Sequence, residues 1–254
     1  MPRYFIEVAY KGTRYSGFQV QKNGITIQSE IEKALAIKFG KPFQLTGASR
    51  TDAGVHALQN YFHFDTDTEL LNQNDNSDTA MQKILYSLNS ILDEDIVIKN
   101  IIEVDEKHHC RFDAISREYK YYICRKKNPF YNDRAYFYPY TLDFEKLQKA
   151  ATIILHTKDF TSFSKKNTQV NNFFCSIIKS EWIFENDLLV YHVAANRFLR
   201  GMVKGLVGTM LKAGTGKISL DEFIAIVESK NVNNANFSVP SHALFLVEVK
   251  YPGF

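Results

Sequence analysis

Ile177-Ile178-Lys179-Ser180-Glu181-Trp182-Ile183-Phe184 and Leu188-Leu189-Val190-Tyr191-His192-Val193-Ala194-Ala195 are two apolar runs parted by Glu185-Asn186-Asp187. Two runs rich in β-branched and aromatic residues, split by a short polar break, predict a β-hairpin. Its flanks place it in a longer order. Upstream, Phe144–Leu155 has helical spacing and Arg117–Cys124 alternates like a strand. Downstream, Phe198–Lys212 reads as a helix, Asp221–Glu228 as an extra one and Phe245–Tyr251 as a closing strand. That order is β-α-β-β-α-β, and the first half of the chain repeats it. Tyr4–Tyr10 reads as a strand. Ile27, Ile31, Ala34 and Leu35 then share a helical face, with Thr26 as the N-cap. Phe43–Thr46 and Leu58–Phe64 read as strands around a glycine-bounded loop, Thr79–Leu92 as a helix and Ile96–Val104 as a strand.

The expected class is α+β: two ferredoxin-like halves forming one extended, mainly antiparallel sheet with helices on one face. Residues 1–105 make the N-terminal half and 106–254 the C-terminal half, with residues 65–78 as a polar excursion. The length of 254 residues, 45% apolar and 23% charged, suits ordinary globular halves. No window approaches the ~20 apolar residues that span a bilayer. An acid at Glu7 comes too early for a signal-peptide apolar region. Cys110, Cys124 and Cys175 have no CxxC spacing; they fit a reducing compartment and carry no metal signature. The expectation is a soluble cytoplasmic protein. The net charge of +3 is close to neutral. Acids gather over residues 65–106, and bases gather at Arg111, Arg117, Lys120, Lys165, Lys166, Arg197, Arg200 and Lys204. A local basic surface could bind a polyanion, although charge alone fits a solvated face better. Tyr119, Tyr121, Phe137 and Tyr138 are candidates for a base-stacking surface, with core packing the commoner fate.

Gly47-Ala48-Ser49-Arg50-Thr51-Asp52-Ala53-Gly54-Val55-His56-Ala57 is the most informative stretch for chemistry. Its small residues let the backbone turn sharply and approach a ligand, and it offers one carboxylate two residues after one guanidinium. Taken alone, these residues favour an aspartate that hydrogen-bonds its own turn. The segment closely resembles the signature of the TruA family of tRNA pseudouridine synthases, and Arg50 to Ala57 match it without a break. The likeness runs along the chain. Tyr10–Gln19 is similar to the family's Y-x-G-x-x-Y-x-G-(W/F)-Q segment. His109–Phe112 with Arg117–Tyr121, Asp159–Phe163, Ala195–Gly208 and Leu244–Leu246 resemble its later motifs in order.

The resemblance implies isomerisation of uridine in the tRNA anticodon stem-loop, at positions 38 to 40, by base flipping and an aspartate-dependent break and re-formation of the glycosidic bond. It implies Asp52 as the catalytic carboxylate, Tyr119 stacked on the flipped uracil, and Lys204 as the cation paired with Asp52. Arg50 would fill the gap left by the flipped nucleotide. Arg14, Gln19, His56 and Arg111 would join substrate binding, as would Phe163, Arg197, Arg200 and Leu246. A homodimer with tRNA as partner is implied, with no cofactor, no metal and no membrane. Periodicity adds to this: Leu199, Met202, Val203, Leu206 and Met210 share one helix face, and Gly201, Gly205 and Gly208 lie opposite. Arg197, Arg200 and Lys204 flank the glycines, and a cation packed there needs a partner.

Four positions depart from the family pattern: Lys204 stands where arginine is usual, Ser49 for glycine, Ala243 for glycine, and Leu92-Asp93-Glu94-Asp95 lacks a proline. Lysine makes no bidentate carboxylate fork. Competing readings are the same chemistry at another RNA site, or a catalytically silent RNA-binding relative. His108 and His109 have no ligand-spaced partner. No phosphate loop is present, and Ser162 and Ser164 lack a nucleophile elbow.

Overall fold

The computed structural model describes residues 1–67, 77–165, 170 and 172–253. The chain divides into two compact units, Met1–Ile115 with Glu248–Phe254, and Ser116–Val247. Nine strands and five α-helices lie among the described residues, in α+β order with mainly antiparallel pairing. The polar excursion expected over residues 65–78 falls mostly outside the described residues, as does Lys166.

The first unit runs β1 (Arg3–Tyr10), α1 (Ile27–Phe39), β2 (Thr46–Gly47), β3 (His56–Asp65), α2 (Ser77–Ile91) and β4 (Ile96–Val104). β1 is central, antiparallel to β3 on one side and to β4 on the other; β2 adds to β3, giving the order β4-β1-β3-β2. Phe5, Ile6, Val8, Phe62 and Phe64 are buried along β1 and β3. α1 starts where expected because Thr26 is a full capping box: its Oγ1 accepts the Ser29 N–H and Ser29 Oγ accepts the Thr26 N–H. It stops at Gly40, which takes the left-handed conformation at φ 71°.

One expected strand is reduced to a stub. Phe43–Thr46 pairs as a strand only at Thr46, because α1 intercepts the backbone before it. Glu32 Oε1 accepts the Leu45 N–H at 2.9 Å and Gln28 Nε2 donates to the Leu45 carbonyl at 2.9 Å. Side chains thus satisfy the groups that a ladder partner would otherwise take.

The second unit runs β5 (Ser116–Cys124), β6 (Tyr136–Phe137), α3 (Phe144–His156), β7 (Ile177–Glu185), β8 (Leu188–Ala195), α4 (Met202–Gly214), α5 (Leu220–Glu228) and the start of β9 (Leu244–Lys250). β8 is buried at every residue and pairs antiparallel with β5 and β7, and β9 follows β5, giving β9-β5-β8-β7. This is the ferredoxin-like order again. The predicted hairpin turn holds Asn186 at φ 53°, a left-handed position that asparagine tolerates. β6, parallel to β5, was not expected from two residues of sequence. α4 begins four residues later than its apolar periodicity suggests, since Gly201 sits at φ 73° and breaks the helical run. Further along, a Cβ on Gly208 would lie 2.1 Å from the Asn236 carbonyl oxygen, so a neighbouring backbone does approach the glycine stripe. Among the described residues no helix is long and apolar enough to cross a membrane.

Candidate active site

The Asp52 turn is held from beneath by the segment that links β1 to α1. A Cβ on Gly12 would lie 2.0 Å from the Val55 carbonyl oxygen, and one on Gly17 would lie 3.1 Å from that of Thr51. Gly17 also takes φ 100°, so this close approach uses both freedoms that glycine offers. The Phe18 N–H donates to the Thr51 carbonyl at 3.1 Å, and the Gly12 N–H donates to His56 Nδ1 at 3.1 Å. A buried network closes the other side: Asn60 Nδ2 donates to the Ser49 carbonyl at 2.9 Å and to Tyr10 Oη at 3.2 Å, while Tyr10 Oη and Thr51 Oγ1 are 2.8 Å apart. Asp52 is half-buried at the top of this scaffold and Arg50 is exposed. The Val55 N–H donates to the Asp52 backbone carbonyl at 3.2 Å, closing the turn through Gly54 at φ 80°. Ser49 is buried, and its Oγ has no hydrogen-bond partner among the described residues.

Beside the turn lies a cleft of about 180 Å³ lined by Phe18, Gln19, Gln28, Thr46, Gly47, Arg50, His109, Arg111 and Phe112. Three of the residues singled out in the sequence (Gln19, Arg50 and Arg111) meet there; Asp52 itself does not line it. Phe112 is 75% exposed, with the Arg111 guanidinium 5.8 Å from its ring centre. Cations beside an exposed aromatic suit a phosphate chain with a stacked base. Gln28, His109 and Phe112 were not singled out for this surface; the only sequence signal for them is their place inside motif segments. Arg14 points elsewhere: it is ion-paired with Asp93 and Asp95 and ties its turn to the start of β4. His56 is buried, and the hydrogen bond it accepts from Gly12 makes it a support of the turn.

The second unit places the remaining candidates. Tyr119 is buried on β5 with its ring edge-on to Phe198, centroids 5.0 Å apart. Lys204, in the first turn of α4, donates from Nζ to Ser241 Oγ at 3.0 Å. Arg197 is half-buried and Arg200 exposed, with the Arg200 carbonyl accepting the Lys165 N–H at 3.0 Å. Phe163 and Leu246 are fully buried, so both pack in the core. Phe163 belongs to a structural turn. Asp159 Oδ1 accepts from the Thr161 N–H and hydroxyl, and Lys230 Nζ lies 2.9 Å from the carboxylate. Burial pushes the Asp159 carboxyl up, but those contacts outweigh it and hold the group below its usual range.

The chain is similar to known proteins along nearly its whole length. A family profile described as tRNA pseudouridine synthase matches residues 150–252. The chain is 43% identical over 252 residues to tRNA pseudouridine synthase A of Parabacteroides distasonis, covering 99% of this chain and 97% of that one. It is 45% identical over 251 residues to tRNA pseudouridine synthase A of Bacteroides fragilis, at 98% and 96% coverage. The chain belongs to the tRNA pseudouridine synthase A family. Membership holds at greater distance too: the Staphylococcus aureus relative of the same name is 34% identical over 249 residues, at 97% and 90% coverage. The turn between β2 and β3 is thus held from below by two glycines and a buried network.

Proposed function

We propose that this chain isomerises uridine to pseudouridine in tRNA, in the anticodon stem-loop at positions 38 to 40. The observation that carries the reading is the rigid Arg50-Thr51-Asp52 turn of a chain alike over its full length to tRNA pseudouridine synthases A. Asp52 is the catalytic carboxylate. It assists cleavage of the bond from C1′ of the ribose to N1 of uracil. The freed base rotates, C1′ bonds to C5, and the hydrogen at C5 leaves as a proton while N1 gains one, so the reaction balances as an isomerisation. Arg50, exposed beside Asp52, takes the place of the flipped nucleotide in the stem. Gln19, Arg111, Arg197 and Arg200 bind the RNA, while Arg14 ties its own turn to the start of β4. Tyr119 stacks on the uracil, while Phe163 and Leu246 act as buried core supports. Lys204 is the basic side chain of α4 assigned to the same reaction. His56 positions the turn. Residues 1–105 supply the aspartate, residues 106–254 supply the tyrosine and the basic helix, and the working form is a cytoplasmic homodimer.

The test is tritium release from tRNA transcribed with 5-tritiated uridine. Release by the wild type, and loss of at least about 10³-fold in rate for Asp52→Ala, is the expected result for removal of a group that acts in the chemical step. Release that survives Asp52→Ala would remove the assignment. Mapping of the modified nucleotides then checks positions 38 to 40.

A further inference from the structure

His63, His109 and Cys110 stand 46 and 47 residues apart in sequence at their widest, yet β3 and the turn after β4 bring their ligand atoms within 4.8 Å of one another. His63 and Cys110 are buried and His109 is half-buried. His63 Nδ1 is 3.2 Å from Cys110 Sγ and also accepts the Cys110 N–H at 3.3 Å. His109 Nδ1 accepts the Arg111 N–H at 3.1 Å. Both imidazoles therefore present an unprotonated Nδ1 toward the same Cys110–Arg111 turn, and the thiol between them donates to the Thr46 carbonyl at 3.2 Å. The backbone is fixed as well: Tyr251 Oη donates to the Cys110 carbonyl at 2.6 Å. Arg3, within electrostatic range of Cys110, is already engaged by both oxygens of Asp65.

We infer that His63, His109 and Cys110 form a zinc site. Two imidazole nitrogens and one thiolate suit Zn²⁺, a borderline-soft cation indifferent to ligand-field geometry. Ligand atoms around a tetrahedral zinc, with bonds of about 2.0–2.3 Å, stand roughly 3.3–3.8 Å apart. The three ligand atoms already lie within 4.8 Å of one another. On binding, zinc takes the Nδ1 lone pairs now given to two backbone N–H groups, the Cys110 S–H bond breaks, its proton goes to solvent, and a zinc–sulfur bond forms. A water fills the fourth position, which faces the cleft that His109 and Thr46 both line. The bound metal pins the turn carrying Arg111 and Phe112 to β3. It positions the cleft and takes no part in the isomerisation.

Tag-free, metal-stripped protein under reducing, anaerobic conditions is titrated with Co²⁺ and then Zn²⁺. The expected result is one cobalt per chain with a thiolate-to-cobalt charge-transfer band in the near ultraviolet, bleached by one equivalent of zinc, with about one proton released. Cys110→Ser abolishes the band. His109→Ala, at a half-exposed position, keeps the fold by circular dichroism and weakens zinc binding by about 100-fold or more, since loss of outer-shell partners alone costs about 10–100-fold. Wild-type protein that binds no stoichiometric cobalt, or binds it without the thiolate band, overturns the site. An unchanged zinc affinity in His109→Ala does so too. None of these readouts depends on the pseudouridine assignment.

Discussion

Gly17 joins a backbone requirement to a chemical one at a single atom. Its φ of 100° costs a residue with a Cβ about 1–2 kcal/mol, and that Cβ would press on the Thr51 carbonyl at 3.1 Å. Relief can come only by moving the turn that holds Asp52. Gly17→Ala is expected to lower stability by about 1–3 kcal/mol in urea denaturation and to lower kcat/KM for tRNA further than a loss of folded protein explains. A fall confined to stability would show that the turn tolerates the shift. Ser49 gives the opposite sign. Its buried hydroxyl has no partner among the described residues, so it carries a desolvation cost without a compensating bond. Ser49→Ala keeps nearly the same shape and should raise stability by on the order of 1 kcal/mol, read as a shift in urea midpoint at constant m. Glycine, usual at this position in the family, would relieve the same cost but add backbone freedom to the unfolded chain.

At the scale of the element, α1 does two jobs through its first turn. Thr26 and Ser29 satisfy each other's N–H groups, while the Ile27 and Gln28 N–H groups donate to the Gly17 and Phe18 carbonyls at 3.2 and 3.0 Å. The helix end thereby anchors the segment beneath Asp52. Thr26→Ala should cost about 0.5–2 kcal/mol, with Ser29→Ala similar. Because the two bonds are reciprocal, the double variant should cost less than the sum, measured as a coupling energy in a double-mutant cycle. A strictly additive double variant would mean that each side chain acts alone. The cap was legible in advance, because Thr26 immediately precedes the apolar helical spacing. The strand at Phe43–Thr46 was not, because what shortens it is Gln28 and Glu32 reaching across from α1, a contact that no local pattern records. The late start of α4 has a plainer cause. Gly201 lies within the apolar period but takes φ 73°, a choice that periodicity does not see.

For the whole molecule, the doubled β-α-β-β-α-β order was readable because each strand and helix keeps its own apolar period, even where boundaries slip by a few residues. Of the candidate site, Arg50 and Asp52 could be named as candidates from their motif. The network of Asn60, Tyr10 and Thr51 could not, and neither could the meeting of His63 with Cys110, because both depend on strand pairing between distant segments. Charge is the remaining whole-chain property, and it shapes the binding prediction. With a net charge of only +3, general attraction to RNA is weak, so affinity must come from local clusters such as Arg50 and Arg111 at the cleft. Each arginine that neutralises one phosphate releases counterions and adds about 0.7–0.9 to the slope of log affinity against log salt. Arg111→Ala should therefore weaken tRNA binding and flatten that slope by about one such step, with Arg50→Ala and Arg111→Ala together flattening it by about two if both contact phosphates. Filter binding across a salt series reads both quantities. Weaker binding at an unchanged slope for Arg50→Ala alone would instead assign that guanidinium to the emptied stack in the stem, where it meets bases and no phosphate.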